Sequence, residues 1–503
     1  MLKKAFLTNS SGILCSRVLG FLRDLSMANI LGAGVYSDIF FVAFKFPNLF
    51  RRIFGEGAFT QSFLPSFIAS SKKGAFSVLV LLLFSCILVG FSLLVVAFSG
   101  AFTKVLALGF DDELIKLASP IVAIHFWYLF LVFLVTFFST LLQYKQHFWV
   151  SAYNTGLLNI AMICALLFAR GSDELAIVYI ASYGVLVGGI AQVALHIYPL
   201  YKFGFMRLFV CGVQELYVAG LTRVLFGKKV DSTTAQNLHK QALDSKLKAT
   251  KLASTIRSEL RRFFKQFLPA MLGSSTAQIA SFIDTILASF LASGAISYLY
   301  YANRIFQLPL AIFAIAISTA LFPMVAKAIK ANEHQKAFIA MKKAFWFLLF
   351  MLLFCAVGGI MLREQIVWLL YEHGKFERTD TLECAMVFAG YMVGLVPFGC
   401  ARIFSLYLYS RSQQALAAKI SAISLLVGVV FSLVLMQFLG AFGLALAGSL
   451  SGFVLFVLTI RAFGFGEFWV IICARNYALL LGFMLVCEIL LLALWLHYIQ
   501  IPH

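Results

Sequence analysis

Six cations stand in stretches whose other residues suit lipid: Arg17, Arg23, Lys45, Arg51 and Arg52 near the start of the chain, and Arg304 far along it. An arginine at bilayer depth costs roughly 2.5–3.5 kcal/mol even on a lenient insertion scale, so its presence asks for a partner or a purpose. Helical spacing sorts these residues. Arg17, Gly20 and Asp24 fall on one stripe at i, i+3 and i+7, with Arg23 beside it. Lys45, Arg52 and Glu56 form a second stripe, Arg52 can pair with Glu56 at i+4, and Arg51 points about 100° away. Snorkelling, or pairing with Asp24, Glu56 and Asp284, accounts for any single arginine. It does not account for the set, because five arginines face three carboxylates. Two left over would cost about 6 kcal/mol. A water-filled cavity with an anionic guest removes that cost, and the planar guanidinium fork matches a phosphate or diphosphate better than an ammonium does.

The elements that must position these residues follow from composition. With 503 residues, 62% hydrophobic, 54 Phe and only 12% charged, the chain is far from the average soluble protein. Long continuous apolar runs exclude an alternating barrel and leave an all-α polytopic membrane protein. Thirteen stretches are long enough to span, from 6–31 to 477–498, with 416–438 and 441–460 in close succession. Most of the 40 Lys and Arg fall in connections on one side, which places the N-terminus of this multi-pass membrane protein in the cytoplasm. The net charge of +19 is topological in this reading, and no recognition motif accompanies it, so nucleic acid is excluded as a partner. The nine cysteines are scattered singly through apolar sequence and read as small buried residues, not a disulfide frame or a zinc site. The first apolar stretch runs into the arginine-bearing helix with no cleavage site, so no removable signal is expected.

Across a basic connection the chain repeats itself. Phe21–Gly34 aligns with Ser281–Gly294 at a constant offset of 260: Asp24 falls on Asp284, Ala28 on Ala288, Leu31 on Leu291 and Gly34 on Gly294. Both halves start from the cytoplasm, so the repeats are parallel. The expected organisation is an N-terminal six-helix lobe over 1–200, a basic cytoplasmic linker over 201–263, a C-terminal six-helix lobe over 264–462 and an appended helix within 463–503. The two lobes surround a central cationic cavity. Within the linker, Ala242–Phe264 reads as a basic amphipathic helix lying on the anionic inner leaflet, and the connection is expected to tolerate deletion in part.

SRVLGFLRD from Ser16, the Gly32-Ala33-Gly34 turn, Asp38-x-x-Phe-Val-Ala-Phe-Lys45-x-Pro-Asn-Leu49 and Arg51-Arg52-x-Phe-x-Glu56-Gly-Ala-Phe59 together resemble the MurJ (MviN) family of lipid II flippases. That family sits in the multidrug/oligosaccharidyl-lipid/polysaccharide exporter superfamily. Tyr300-Tyr301-Ala302-x-Arg304 and Gly374-Lys375-Phe376 extend the resemblance over nearly the whole chain. It implies a V-shaped pair of lobes that moves undecaprenyl-diphosphate-linked peptidoglycan precursor to the outer leaflet. By motif position it implies substrate-binding roles for Arg17, Arg23, Arg51 and Arg304, with Arg52 beside them. Asp24, Asp38 and Glu56 become supporting polar positions, and Asp284 a cation-site residue. Asn303 stands where the family often has an acidic residue, Ile420–Gln437 has no Asp or Asn for a sodium site, and thirteen helices replace the usual fourteen.

The expected function is therefore lipid II flipping by alternating access, with no enzyme activity and no cofactor, since the chain has no nucleotide-binding loop and no clustered metal ligands. Coupling to the membrane potential or to a monovalent cation stays open. Rival readings are export of another lipid-linked oligosaccharide or a drug, and a non-transporting scaffold that binds cell-wall synthesis proteins through the linker. A cationic drug would ask for carboxylates where this chain supplies arginines.

Overall fold

The computed structural model describes the backbone of residues 2–53, 58–220, 240–411 and 413–498, and the side chains among these outside 2–10, 13, 52, 53, 240–247, 272–278, 280 and 281. Every regular element among the described residues is helical. In chain order these are α1 (Leu2–Leu31), α2 (Val35–Ile53), α3 (Phe59–Ala69), α4 (Lys73–Ala97), α5 (Ser99–Leu106), α6 (Asp112–Tyr144), α7 (Trp149–Phe168), α8 (Glu174–Lys202), α9 (Phe205–Ala219) and α10 (Lys240–Ala288). They continue with α11 (Ala295–Pro309), a π-helical turn (Leu310–Ile315), α12 (Ala316–Lys330), α13 (His334–Met361), α14 (Arg363–Tyr371), α15 (Arg378–Val393), α16 (Leu395–Ser410), α17 (Gln414–Phe463), α18 (Phe465–Ile472) and α19 (Arg475–Tyr498). Nine helical stretches among the described residues are long and apolar enough to cross a bilayer. One of them, α17, is two spans in succession, because Gly440 breaks it with φ 55° and ψ −134°, between the expected 416–438 and 441–460.

The helices form two compact units. One comprises residues 1–23, 43–103 and 116–278, the other residues 24–42, 104–115 and 279–503.

The first unit explains much of the phenylalanine. Phe59, Phe63 and Phe67 recur every four residues along one face of α3, and all three are buried. They meet Phe76 and Phe84 of α4, Phe133 and Phe137 of α6, and Phe263 and Phe267 of α10 in one core. Ring centroids lie 5.2 Å apart for Phe59–Phe63, 5.1 Å for Phe84–Phe133 and 5.5 Å for Phe263–Phe267. Such pairs add about 0.5–1.5 kcal/mol each beyond the area they bury.

The basic connection is a structural part of this unit. Ala253, Ile256, Leu260, Phe263 and Phe267 are buried at helical spacing, while Lys251, Arg261, Arg262 and Lys265 face out. The amphipathic helix expected at 242–264 is thus present, but its apolar stripe packs in the protein core and does not lie on lipid. The helix then continues without a break to Ala288. Two carboxylates pin the connection to the α3–α4 turn. Glu259 accepts from the Ser71 backbone N–H at 2.9 Å and from the Ser70 hydroxyl at 2.7 Å. Glu215 of α9 accepts from the Ala75 N–H in the first turn of α4 at 3.2 Å and pairs with Lys72 at 3.0 Å. A carboxylate at a helix start satisfies orphan donors and complements the dipole.

In the second unit, Lys342 of α13 donates to the Val470 and Cys473 carbonyls at 3.2 and 2.8 Å, a cation on the C-terminal end of α18. Trp346 donates to the Ile471 carbonyl and stacks on Tyr477, 5.7 Å between centroids. These contacts tie the start of α19 to α13.

Candidate functional site

In the second unit, Asp24 near the end of α1 is 3% exposed and lies 2.9 Å from Nε of Arg304 on α11. That approach is an ion pair by distance, with the Nε–H off the hydrogen-bond line. Arg304 donates through Nη2 to the Tyr300 hydroxyl at 2.6 Å, and Tyr300 donates on to the other Asp24 oxygen at 3.1 Å. Tyr300 and Arg304 are one helical turn apart, so the guanidinium also lies over the phenol ring at 4.8 Å. Phe41 stacks on Tyr300, with ring centroids 4.0 Å apart. Tyr371, at the end of α14, packs on Tyr301 with 5.0 Å between ring centroids, and burial followed by the charge of Asp24 holds its phenol well above the usual range.

Asp38 of α2 works at a helix start. It accepts from the backbone N–H groups of Gly294 and Ser297, each at 2.8 Å, and from the Ser297 hydroxyl at 2.5 Å. It therefore caps the N-terminus of α11, the helix that carries Arg304. Gly294, with φ 91°, makes the turn that aims those donors. The Ser297 hydroxyl oxygen also lies 3.0 Å from that of Ser37. Ser37 and Ser297 are repeat equivalents at the offset of 260, so corresponding turns of the two repeats meet at corresponding residues.

The Gly374-Lys375-Phe376 loop belongs to the same region. The Lys375 N–H donates to the Asn29 carbonyl at 2.9 Å, and a Cβ on Gly374 would run into that carbonyl. Phe376 is buried against Tyr301 and Tyr371.

In the first unit, Arg23 is buried and donates to Asn159 Oδ1 of α7 at 3.2 Å, with its guanidinium carbon 6.0 Å from the Phe44 ring centre. Asn159 in turn donates to the Ser16 carbonyl at 3.1 Å, which fixes α1 against α7. Arg51 is half-buried and donates through Nε and Nη2 to Asn48 at 3.3 and 3.1 Å. Among the described residues that neutral amide is its only hydrogen-bond partner, so nothing there cancels its charge. Arg17 is exposed. The Arg52 side chain, Glu56 and the pairing expected of them lie outside the described residues.

A family model described as "Lipid II flippase MurJ" matches residues 27–501. The "Probable lipid II flippase MurJ" of Helicobacter pylori is 54% identical over 466 residues, covering 93% of this chain and 96% of that protein. The chain belongs to the MurJ lipid II flippase family. Among solved structures, "Lipid II flippase MurJ, inward closed conformation" aligns with a TM-score of 0.74 at 22% identity, over 97% of this chain and 96% of that one. An inward-facing multidrug resistance transporter of the MATE family aligns at 0.65 and 14% identity, over 93% and 98%. Both likenesses concern the fold. MurJ proteins are transporters, not enzymes, and multi-pass proteins of the bacterial inner membrane.

For a MurJ family member, the structure brings Asp24 and Arg304 together and anchors Arg23 and Arg51 on amides. It assigns Asp38 to a helix cap. Asp284 is half-buried on α10 near Tyr391, whose hydroxyl meets Asn303. Among the described residues no group of three or more His, Cys, Asp or Glu gathers as a metal site. Arg402 is a further cation inside an apolar span, one that the stripes of α1 and α2 do not reveal. It lies within the Arg378–Ser410 span, is exposed, and forms no ion pair among the described residues. The signal in the sequence is the lone arginine of Cys400-Ala-Arg-Ile-Phe404, with no second charge or repeat partner beside it.

Proposed function

We propose that this chain carries lipid II, the undecaprenyl-diphosphate-linked peptidoglycan precursor, from the inner to the outer leaflet by alternating access. The family match over residues 27–501 carries this reading. Arg17, Arg23, Arg51 and Arg304 are the phosphate-contacting cations, with Arg52 and Arg402 adding charge. Asp24 is the resident anion on Arg304, and the diphosphate takes its place when substrate arrives. The diphosphate refills the guanidinium fork, and the cost of the exchange is the Asp24 carboxylate left with the Tyr300 hydroxyl as its donor. The N-terminus is cytoplasmic, and α19 guides the prenyl tail. For the driving force we favour the membrane potential acting on the bound charge, with a monovalent cation at Asp284 as the alternative. Flipping at clamped potential, with and without sodium, separates the two.

The arginines argue against cationic drugs as cargo. The test is reconstitution of the full chain in vesicles containing fluorescent lipid II, with loss of protected fluorescence read after a membrane-impermeant quencher. Protein-dependent exposure of lipid II, without movement of a hydrophobic cationic dye, is expected. The reverse pattern would overturn the proposal.

A further inference from the structure

The C-terminal helix α19 buries a single residue among those described, and that residue is Glu488. It is 5% exposed, in a helix whose other side chains are apolar or face outward. Oε1 lies close to Gly358 of α13, where even a methyl group would stand 3.3 Å from it. Oε2 is buried and has no hydrogen-bond partner among the described residues. Glu488 lines a cavity of about 480 Å³ whose other walls include Leu308, Pro309, Phe354, Met392 and Leu491. Cys355 is the one other titratable group on the lining, which contains no Lys, Arg or His. An unpartnered carboxylate oxygen in apolar surroundings is costly, and no Lys, Arg or His among the described lining residues relieves it.

Apolar walls with one convergent polar group are the usual make-up of a small-molecule site. We propose that this cavity binds an amphiphile from the lipid phase, which sets a protonated amine on Oε2 of Glu488 and its alkyl chain against Leu308, Met392 and Leu491. The amine supplies both the missing donor and the missing positive charge. A neutral donor supplies only the first. The cavity also has a mechanical position. Leu308 and Pro309 follow Arg304 on α11 and lead directly into the π-helical turn Leu310–Ile315, where the helix changes its winding. An occupant braces that turn and so restrains the helix that carries Arg304. The binding claim does not depend on lipid II being the cargo.

The test uses the purified full-length chain in lipid nanodiscs and an undecylamine carrying a dansyl group at the far end of its chain, beside the alcohol of the same length. Saturable binding is expected, at least tenfold tighter for the amine. Glu488→Gln should erase the amine preference with the thermal midpoint kept. Leu491→Trp, which retains the carboxylate and fills the cavity, should weaken both probes at least tenfold. Equal binding of amine and alcohol, an unchanged preference in Glu488→Gln, or full binding by Leu491→Trp would each overturn the proposal. If Glu488→Gln does not fold, the wild-type preference and the Leu491→Trp result decide it.

Discussion

Asp24 Oδ2 lies 2.9 Å from Nε of Arg304, and Tyr300, one turn before Arg304, donates its hydroxyl to the other oxygen of the same carboxylate. The pair is buried enough that losing one partner strands the other. Asp24→Asn and Arg304→Gln should therefore each lower the thermal midpoint in detergent, while the double variant loses less than their sum. A coupling of about 1–3 kcal/mol is expected from the cycle. Additivity within about 0.5 kcal/mol would mean that the two residues act independently.

Asp38 caps α11 with three hydrogen bonds. Asp38→Ala should cost about 1–2 kcal/mol, in the range of a lost N-cap, and Ser297→Ala less, because two backbone donors keep their acceptor. Thermal unfolding of both variants checks the order. A larger loss for Ser297→Ala would point to the Ser37–Ser297 contact instead.

The connection after α8 should be intolerant of change. Phe263 is fully buried in the phenylalanine core, and Phe263→Ala should cost about 3–5 kcal/mol and lower the protein level in membranes. Deleting 201–265 should prevent accumulation of the chain altogether, which reverses the expectation drawn from charge alone. Normal levels of the deletion variant on a membrane blot would contradict the packing of α9 and α10.

Gly374 has φ 66°, and a side chain there would collide with the Asn29 carbonyl. Gly374→Ala should cost more than about 1 kcal/mol and expose the 372–377 loop to added protease. Unchanged proteolysis would show that the loop does not depend on that close approach.

Much of this was readable from residue order. The offset that set Asp24 on Asp284 also set Gly34 on Gly294, and the turns it pairs meet through Ser37 and Ser297. The two spans inside α17 were legible because apolar runs end near Gly440. Helical phase, however, tells which residues share a face and not which neighbour faces them. It grouped Asp24 with Arg17, while the carboxylate pairs with Arg304 of the other repeat. Charge density likewise marked the linker as cytoplasmic but concealed its role, since the stripe Ala253, Ile256, Leu260, Phe263, Phe267 packs equally well on lipid or on protein. Only the facing phenylalanines of α3, α4 and α6 decide between them.

The central claim is that the arginines hold the diphosphate. It is tested most directly by labelling outer-leaflet lipid II in cells depleted of the native flippase and complemented with Arg17→Ala, Arg23→Ala, Arg51→Ala and Arg304→Ala, singly and together. At protein levels matched to wild type, each single variant should reduce outer-leaflet lipid II, and the quadruple variant should abolish it. Wild-type amounts of outer-leaflet lipid II with all four arginines removed would contradict the account.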